Sequence, residues 1–353
     1  MISRPFASGI EDADGWWQLP SGAMNTICDV PGVTVGHETI HEGSIHTGVT
    51  AILPHRGNLF REKVRAGAAV LNGFGKSIGL MQVEELGELE TPILLTNTFG
   101  VGACATALIT DAIAVNPDIG GETTTVNPVV CECNDGWFNN IQALAVTPDT
   151  ARAALAASGP HFTQGCVGAG SGMRTFGFPG GIGSSSRIVT LSGQTSFTVG
   201  VLTLANFGAQ ADLRIKGKLF RERIPPESLC ASREDKGSVI FIIATDAPLD
   251  ARQLNRLCRR TAAALGRLGS AMGHGSGDIA LGFSTGVRIP HDDSDRVTLL
   301  PALHESTLNA FFPAVVESAE EAVLNAMWHG IDMVGRDGDN AASLRNLSAG
   351  RWP

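Results

Sequence analysis

The chain has 353 residues, 43% of them hydrophobic, enough to bury a large core as one big α/β domain or two smaller ones. A formal charge of −9 and a pI near 5.5 argue against a nucleic-acid partner or an anionic membrane surface. Tyrosine is absent, so no tyrosyl acid or base enters any mechanism. The seven cysteines are scattered, and Cys131 and Cys133 lack zinc-ligand spacing; reduced thiols and a cytoplasmic location are expected.

Met1 to Gly15 carries acids and no long apolar core, so no signal peptide is expected. Residues Ile27 to His37 read as strand, turn, strand around Pro31-Gly32, and Thr47 to Pro54 is a further β-rich run. His37, His41 and His46 fall close together without a Glu-x-x-His, which favours surface histidines over a metal site. A small-residue run from Arg65 enters a turn near Gly73 and Gly75. A helix through Leu80, Val83, Leu86 and Leu89 should follow. Thr91 to Thr98 reads as a buried strand, leading into a small-residue helix over Val101 to Ala114 that should pack tightly on a sheet. The run Gly168-Ala169-Gly170-Ser171-Gly172 lacks both the P-loop Lys-Ser/Thr and a Rossmann acid about 20 residues on, so no nucleotide site is expected.

Pro128 to Trp137 places a carboxylate, Glu132, inside an apolar strand just ahead of the turn Asn134-Asp135-Gly136. Burying that acid is costly unless something positive meets it; the alternative is an outward-facing acid on an edge strand. A strand from Phe197 ends at Asn206, whose amide suits either an oxyanion or the start of a turn. Val239 to Ala244 is the longest obvious apolar run and far too short to span a bilayer. Asp246-Ala247-Pro248 begins a helix with a stripe of Leu254, Leu257, Cys258, Leu265 and Leu268, and Thr261 is the polar residue on that face. This helix delivers the chain to Gly275-Ser276-Gly277-Asp278. Ser276 suits attack on a substrate carbonyl or on the peptide bond before itself. The second course frees an α-amine, of reference pKa ~8, as a base for its own hydroxyl. The plainer alternative is a hairpin turn with no chemistry.

The ordered set Asp29-Val30-Pro31-Gly32-Val33-Thr34-Val35-Gly36-His37, Leu71-Asn72-Gly73, Thr96-Asn97-Thr98, Asn134-Asp135-Gly136, Ala205-Asn206-Phe207-Gly208, Ser276-Gly277-Asp278 and Glu320-Glu321-Ala322-Val323-Leu324-Asn325-Ala326 resembles the P1 peptidase family. That family holds the L-aminopeptidase/D-esterase/amidase and the β-aminopeptidases, and the resemblance runs from about Asn25 to Asp337. It implies an α/β fold, a four-layer αββα sandwich similar to N-terminal-nucleophile hydrolases, with residues 1–353 as one domain. It further implies self-cleavage into chains 1–275 and 276–353, which stay together.

Matched residue by residue, the resemblance makes Ser276 the nucleophile and Gly275 the residue whose carbonyl is released. Asn206 matches the oxyanion-stabilising amide and Glu132 the acid that holds the substrate's amino group. A Ser-x-Glu pair should support the nucleophile, here Ser318 with Glu320 or Glu321. On a regular helix Ser318 and Glu320 point roughly 200° apart, whereas Ser318 and Glu321 share a face, so both acids stay candidates. Where some relatives carry an aromatic residue two places after the glutamate, this chain has Asn134.

The implied enzyme is an aminopeptidase acting on short peptides, amino-acid amides or esters. It needs no cofactor and no metal, and works as a homotetramer of processed protomers. A self-cleaving acyltransferase of ornithine-acetyltransferase type and an unprocessed, non-catalytic binding protein are the alternatives.

Overall fold

Two sheets laid face to face carry the molecule, and a computed structural model describes it over residues 16–193, 195–223, 237–292, 297, 299–336, 338 and 340–348. The acidic stretch 1–15, read above for a leader, lies outside the described residues. The strands are β1 (Thr34–Glu42), β2 (Ile45–Leu53), β3 (Glu62–Gly73), β4 (Glu88–Leu89), β5 (Ile93–Asn97), β6 (Val129–Cys133), β7 (Ile182–Thr190), β8 (Ser196–Asn206), β9 (Ser238–Thr245) and β10 (Gly277–Pro290). Four of them form a sheet in the order β1-β2-β5-β6, and six form a second sheet in the order β4-β3-β10-β9-β8-β7. Neighbours are antiparallel except β5 with β6 and β9 with β10.

Three apolar clusters show four layers. Leu94 and Val130 of the smaller sheet meet Cys104, Ala107 and Leu108 of helix α2 (Val101–Val115) and Ala151 and Ala154 of α3 (Pro148–Ala156). Between the sheets, Ile93, Leu95 and Cys131 face Ile240, Ile242, Ala244, Ile279 and Leu281. Beyond the larger sheet, Val239, Phe241 and Ile243 meet α4 (Ala251–Cys258), α5 (Thr261–Leu268) and α6 (Phe311–Trp328). Strand β9 thus sends alternate side chains to two different cores, which is why all eight of its residues are buried and why it reads as continuously apolar.

Several expectations shift locally. The limb Ile27–Asp29 is a 3-10 turn rather than a strand, because the Asp29 carboxylate accepts the backbone N–H groups of Met24 and Thr26 and caps it. The helix through Leu80 ends at Leu86. Gly87 is left-handed (φ 68), which turns the chain so that Leu89 is buried in β4 instead. The helix expected to run to Leu268 is two, because the buried Thr261 hydroxyl donates to the Cys258 carbonyl at 2.7 Å, at the break. Of the three histidines, His46 is buried and its Nδ1 meets that of His41 at 3.0 Å, while His37 bonds Thr50 and Thr163 separately. The longest apolar stretch is not Val239 to Ala244. Thr98–Val115 is long and apolar enough, by length and composition alone, to cross a bilayer, and in the fold one face of it packs on the smaller sheet.

Candidate active site

The junction at Ser276 is a tight turn feeding a strand in the middle of the larger sheet. The Ser276 N–H donates to the Gly273 carbonyl at 2.9 Å, closing the turn. The Asn72 amide reaches across from β3 and donates to the same carbonyl at 2.6 Å and to that of Met272 at 3.3 Å. Met272 holds φ +52, a left-handed conformation that costs a non-glycine residue about 1 kcal/mol. Gly277 is dictated by space, since a Cβ there would lie 2.5 Å from the Phe74 carbonyl oxygen. Its N–H donates to the Ser238 hydroxyl at 3.1 Å, fixing β10 against β9.

The Ser276 side chain is 1% exposed, and its hydroxyl donates to Asp278 Oδ1 at 2.5 Å. Asp278 is equally buried. It was legible only as part of the Ser-Gly-Asp motif. The signal for its position is the i, i+2 spacing, which puts two side chains on the same face of a strand.

Glu132 sits at the end of β6, 3% exposed, and faces this junction from the other sheet. Its Oε1 accepts the backbone N–H of Lys76 at 2.8 Å and its Oε2 accepts the Thr98 hydroxyl. A Cβ on Gly75 would stand 3.7 Å from Glu132 Oε1 and 4.0 Å from the Gly277 Cα, so only the width of one glycine separates the carboxylate from the seryl strand. Among the described residues no cation pairs with Glu132. The edge-strand reading of this acid is therefore replaced by a buried, oriented carboxylate. Thr98 is a site residue that sequence reasoning quoted within a motif but gave no role. The adjacent thiols do not compete as nucleophiles, since burial pushes Cys131 up to about 12 and Cys133 well above its ordinary value.

Asn206 ends β8 and pairs with Ser238, the residue whose hydroxyl holds the Gly277 N–H. Its Oδ1 accepts the Arg174 N–H at 2.9 Å and its Nδ2 donates to the Asn134 carbonyl at 2.8 Å. A side-chain amide has two N–H groups, so one remains to be given elsewhere. The Asn134 side chain does not face the serine. It accepts the Gly136 N–H at 2.9 Å and forms the turn. Behind that turn lies Asp135, fully buried, which accepts the Thr47 hydroxyl at 2.6 Å and the Asn139 amide at 2.9 Å. Burial pushes its carboxyl up to about 6 despite these donors.

The α6 candidates lie elsewhere. The Ser318 carbonyl accepts the Ser185 hydroxyl at 2.8 Å. Ser185 is registered through Val201 and Ile243 to Gly282, which is six residues along β10 from Ser276 and three strands across. Six strand residues span about 20 Å. Glu321 accepts Arg187 Nη1 at 2.6 Å and the Asn25 amide at 2.7 Å, and Glu317 takes Arg187 Nε at 3.0 Å. Glu320 points to the other side, with Arg267 Nε 2.7 Å from its Oε2. Burial, with Glu317 and Glu321 adding their charge, pushes Glu320 up to about 7, against the pull of Arg267. The structure thus brings Ser276, Glu132 and Asn206 to one end of the sandwich. Ser318, Glu320 and Glu321 stay over the middle of the larger sheet.

The profile of peptidase family S58 matches residues 25–341. The chain belongs to that family. β-Peptidyl aminopeptidase BapA of Sphingosinicella xenopeptidilytica is 40% identical over 331 residues, covering 87% of this chain and 81% of that one. The PH0078 protein of Pyrococcus horikoshii OT3 superposes with a TM-score of 0.86 at 43% identity, over 92% of both chains. The L-aminopeptidase D-Ala-esterase/amidase of Ochrobactrum anthropi, described as a serine aminopeptidase with a new variant of the Ntn hydrolase fold, superposes with a TM-score of 0.84 at 35% identity, over 92% of this chain and 93% of that one. The S58 chain described here is accordingly a hydrolase with the mixed, layered architecture of that variant.

Proposed function

We propose that this S58 peptidase is a self-processing serine aminopeptidase, cut between Gly275 and Ser276, that removes an N-terminal residue from short peptides, amides or esters. Glu132 carries this reading. A buried carboxylate held by a hydroxyl and a backbone N–H, with no cation on it, is a receptor for the ammonium of a substrate. The Ser276 oxygen attacks the carbonyl of the residue so anchored, the spare Asn206 N–H and a backbone N–H hold the oxyanion, and the freed Ser276 amine shuttles the proton. Water then releases the acyl group. The anchor reads the amine and not the Cα substituent, so β-alanyl and D-alanyl substrates are accepted beside L-forms; the names of the relatives support the β- and D-substrates.

The exposed face of α2, with Gly102, Thr106 and Ile113, and the exposed Phe99 beside it support a homotetramer of processed protomers. Six cysteines among the described residues are free thiols, which supports a cytoplasmic setting. The test is a denaturing gel of the purified chain together with free and N-acetylated alanine, D-alanine and β-alanine p-nitroanilides. Two fragments, the smaller beginning at Ser276, and turnover of free amines alone are expected. An intact chain defeats the self-processing reading, and equal turnover of acetylated substrates defeats the role of Glu132.

A further inference from the structure

A nucleophile that is also its own base explains turnover but not the first cut. In the uncut chain the Ser276 nitrogen is an amide: its lone pair is delocalised into the Gly275 carbonyl and its N–H is spent on Gly273. The α-amine that serves as base exists only after the cut. Some other group must take the seryl proton once. The hydroxyl is already committed to Asp278 Oδ1 at 2.5 Å, inside a site where both side chains are 1% exposed. The other titratable groups nearby are less suited. His274 in the turn is exposed, and Glu132 faces the junction across Gly75 with both oxygens engaged by Lys76 and Thr98.

The surroundings fix Asp278 in place. The register of β10 against β3 slips here: Asp278 opposes Asn72 and Ile279 opposes Val70, so Leu71 is an extra residue in β3. Such a bulge bends a strand and re-aims side chains. On its own rung Asn72 turns to the carbonyls of Met272 and Gly273, and Asp278 to the serine. One irregularity therefore clamps the turn that holds the scissile bond and presents a carboxylate to the attacking oxygen.

We propose that Asp278 is the catalytic base of self-cleavage, an inference that rests on the self-processing reading above. Asp278 Oδ1 takes the proton from Ser276 Oγ as Oγ bonds to the Gly275 carbonyl carbon and that carbonyl becomes an oxyanion. The carbon–nitrogen bond then breaks, and the nitrogen takes the electron pair and the proton back from Asp278. The product is a Gly275–Ser276 ester with a free Ser276 amine, and one water hydrolyses it to the two chains. Asp278 ends as it began, and from then on the amine can do the work.

The test follows self-cleavage of the full chain by intact mass and gel for the wild type, Asp278→Asn and Asp278→Ala, with circular dichroism to confirm folding. A wild type that never cuts defeats the self-processing reading itself. Where the wild type cuts, folded Asp278→Asn should cut at least ~100-fold more slowly, the usual size of general-base assistance, and hydroxylamine should release no fragment because no ester has formed. Cutting by Asp278→Asn within threefold of the wild type, or a build-up of hydroxylamine-sensitive ester, overturns the proposal. Should Asp278→Asn not fold, Asp278→Ala decides: cutting that rises with added formate supports a proton acceptor at this position. Wild-type speed without formate, or no response to it at any concentration, overturns it.

Discussion

The molecule buries acids in two places and treats them differently. Over α6, Glu317 and Glu321 close on Arg187, and Glu320 meets Arg267. At the end of the sandwich, Glu132 is held by a hydroxyl and a backbone N–H, and Asp278 by the Ser276 hydroxyl. A buried charge met by an arginine is finished as an interaction; the α6 cluster ties the N-terminal segment to the sheet, with Glu317 also accepting the N–H groups of Gln18 and Leu19. A buried carboxylate met by neutral donors is oriented but not neutralised, and so keeps affinity for an ammonium or a proton. The difference separates a fastening from a site although both use the same side chain.

Four variants probe that contrast. Ser276→Ala removes the oxygen both carboxylates serve; it should stay uncut and lose at least ~10⁴-fold in kcat/KM while its circular dichroism is unchanged. Wild-type processing of that variant would break the assignment. Arg187→Leu leaves Glu317 and Glu321 as uncompensated buried charges and should destabilise the chain by about 3–5 kcal/mol in urea titrations. The folded fraction should retain its specific activity, as expected of a fastening. Glu132→Gln keeps shape and removes charge. It should lower kcat/KM for free-amine substrates by roughly 100-fold, the scale of a buried charge-assisted contact, with self-cleavage unaffected. The smallest effect concerns Glu320. Its folded value is raised from 4.5 to about 7, so the folded chain binds the proton more tightly than the unfolded one between those values. Stability should therefore fall as pH rises from about 4.5 through 7 and level off above. At ~1.4 kcal/mol per pK unit the loss is of the order of 3 kcal/mol at most. Thermal melts of Glu320→Gln across that range should show the slope flattened, and an unchanged slope would assign it to Asp135 or another group.

What sequence could tell followed from which physical signals are one-dimensional. Strand β9 announces itself because both of its faces are covered, and Glu132 because an acid in an apolar strand demands a partner. Gly275-Ser276-Gly277 is legible because openness at a turn requires glycine. The α6 placement is not of that kind. Helical spacing pairs Ser318 with Glu321 on one face, yet it cannot say that Arg187 of β7 waits there or that Ser185 takes the Ser318 carbonyl. Asp278 was hidden for the opposite reason. Its partner is two residues away, but the contact depends on the strand starting at Gly277, and boundaries are the least legible part of any pattern. The split between α4 and α5 likewise hangs on one hydroxyl choosing the Cys258 carbonyl.

The position of Gly277 in the larger sheet has one more consequence. Strand β10 lies between β3 and β9, both contributed by residues before the scissile bond, and α6 from the same C-terminal piece covers β7 and β8. A cut at Gly275 would leave the short piece threaded through the middle of the long one, like a warp thread in cloth, with its neighbours bonded along both edges. Separating the two would mean opening the sheet at its centre and stripping one core of its cover at the same time. The order of events is thereby constrained: the chain must fold first and be cut second, because the pieces supplied apart would each lack half of the surface against which the other is shaped.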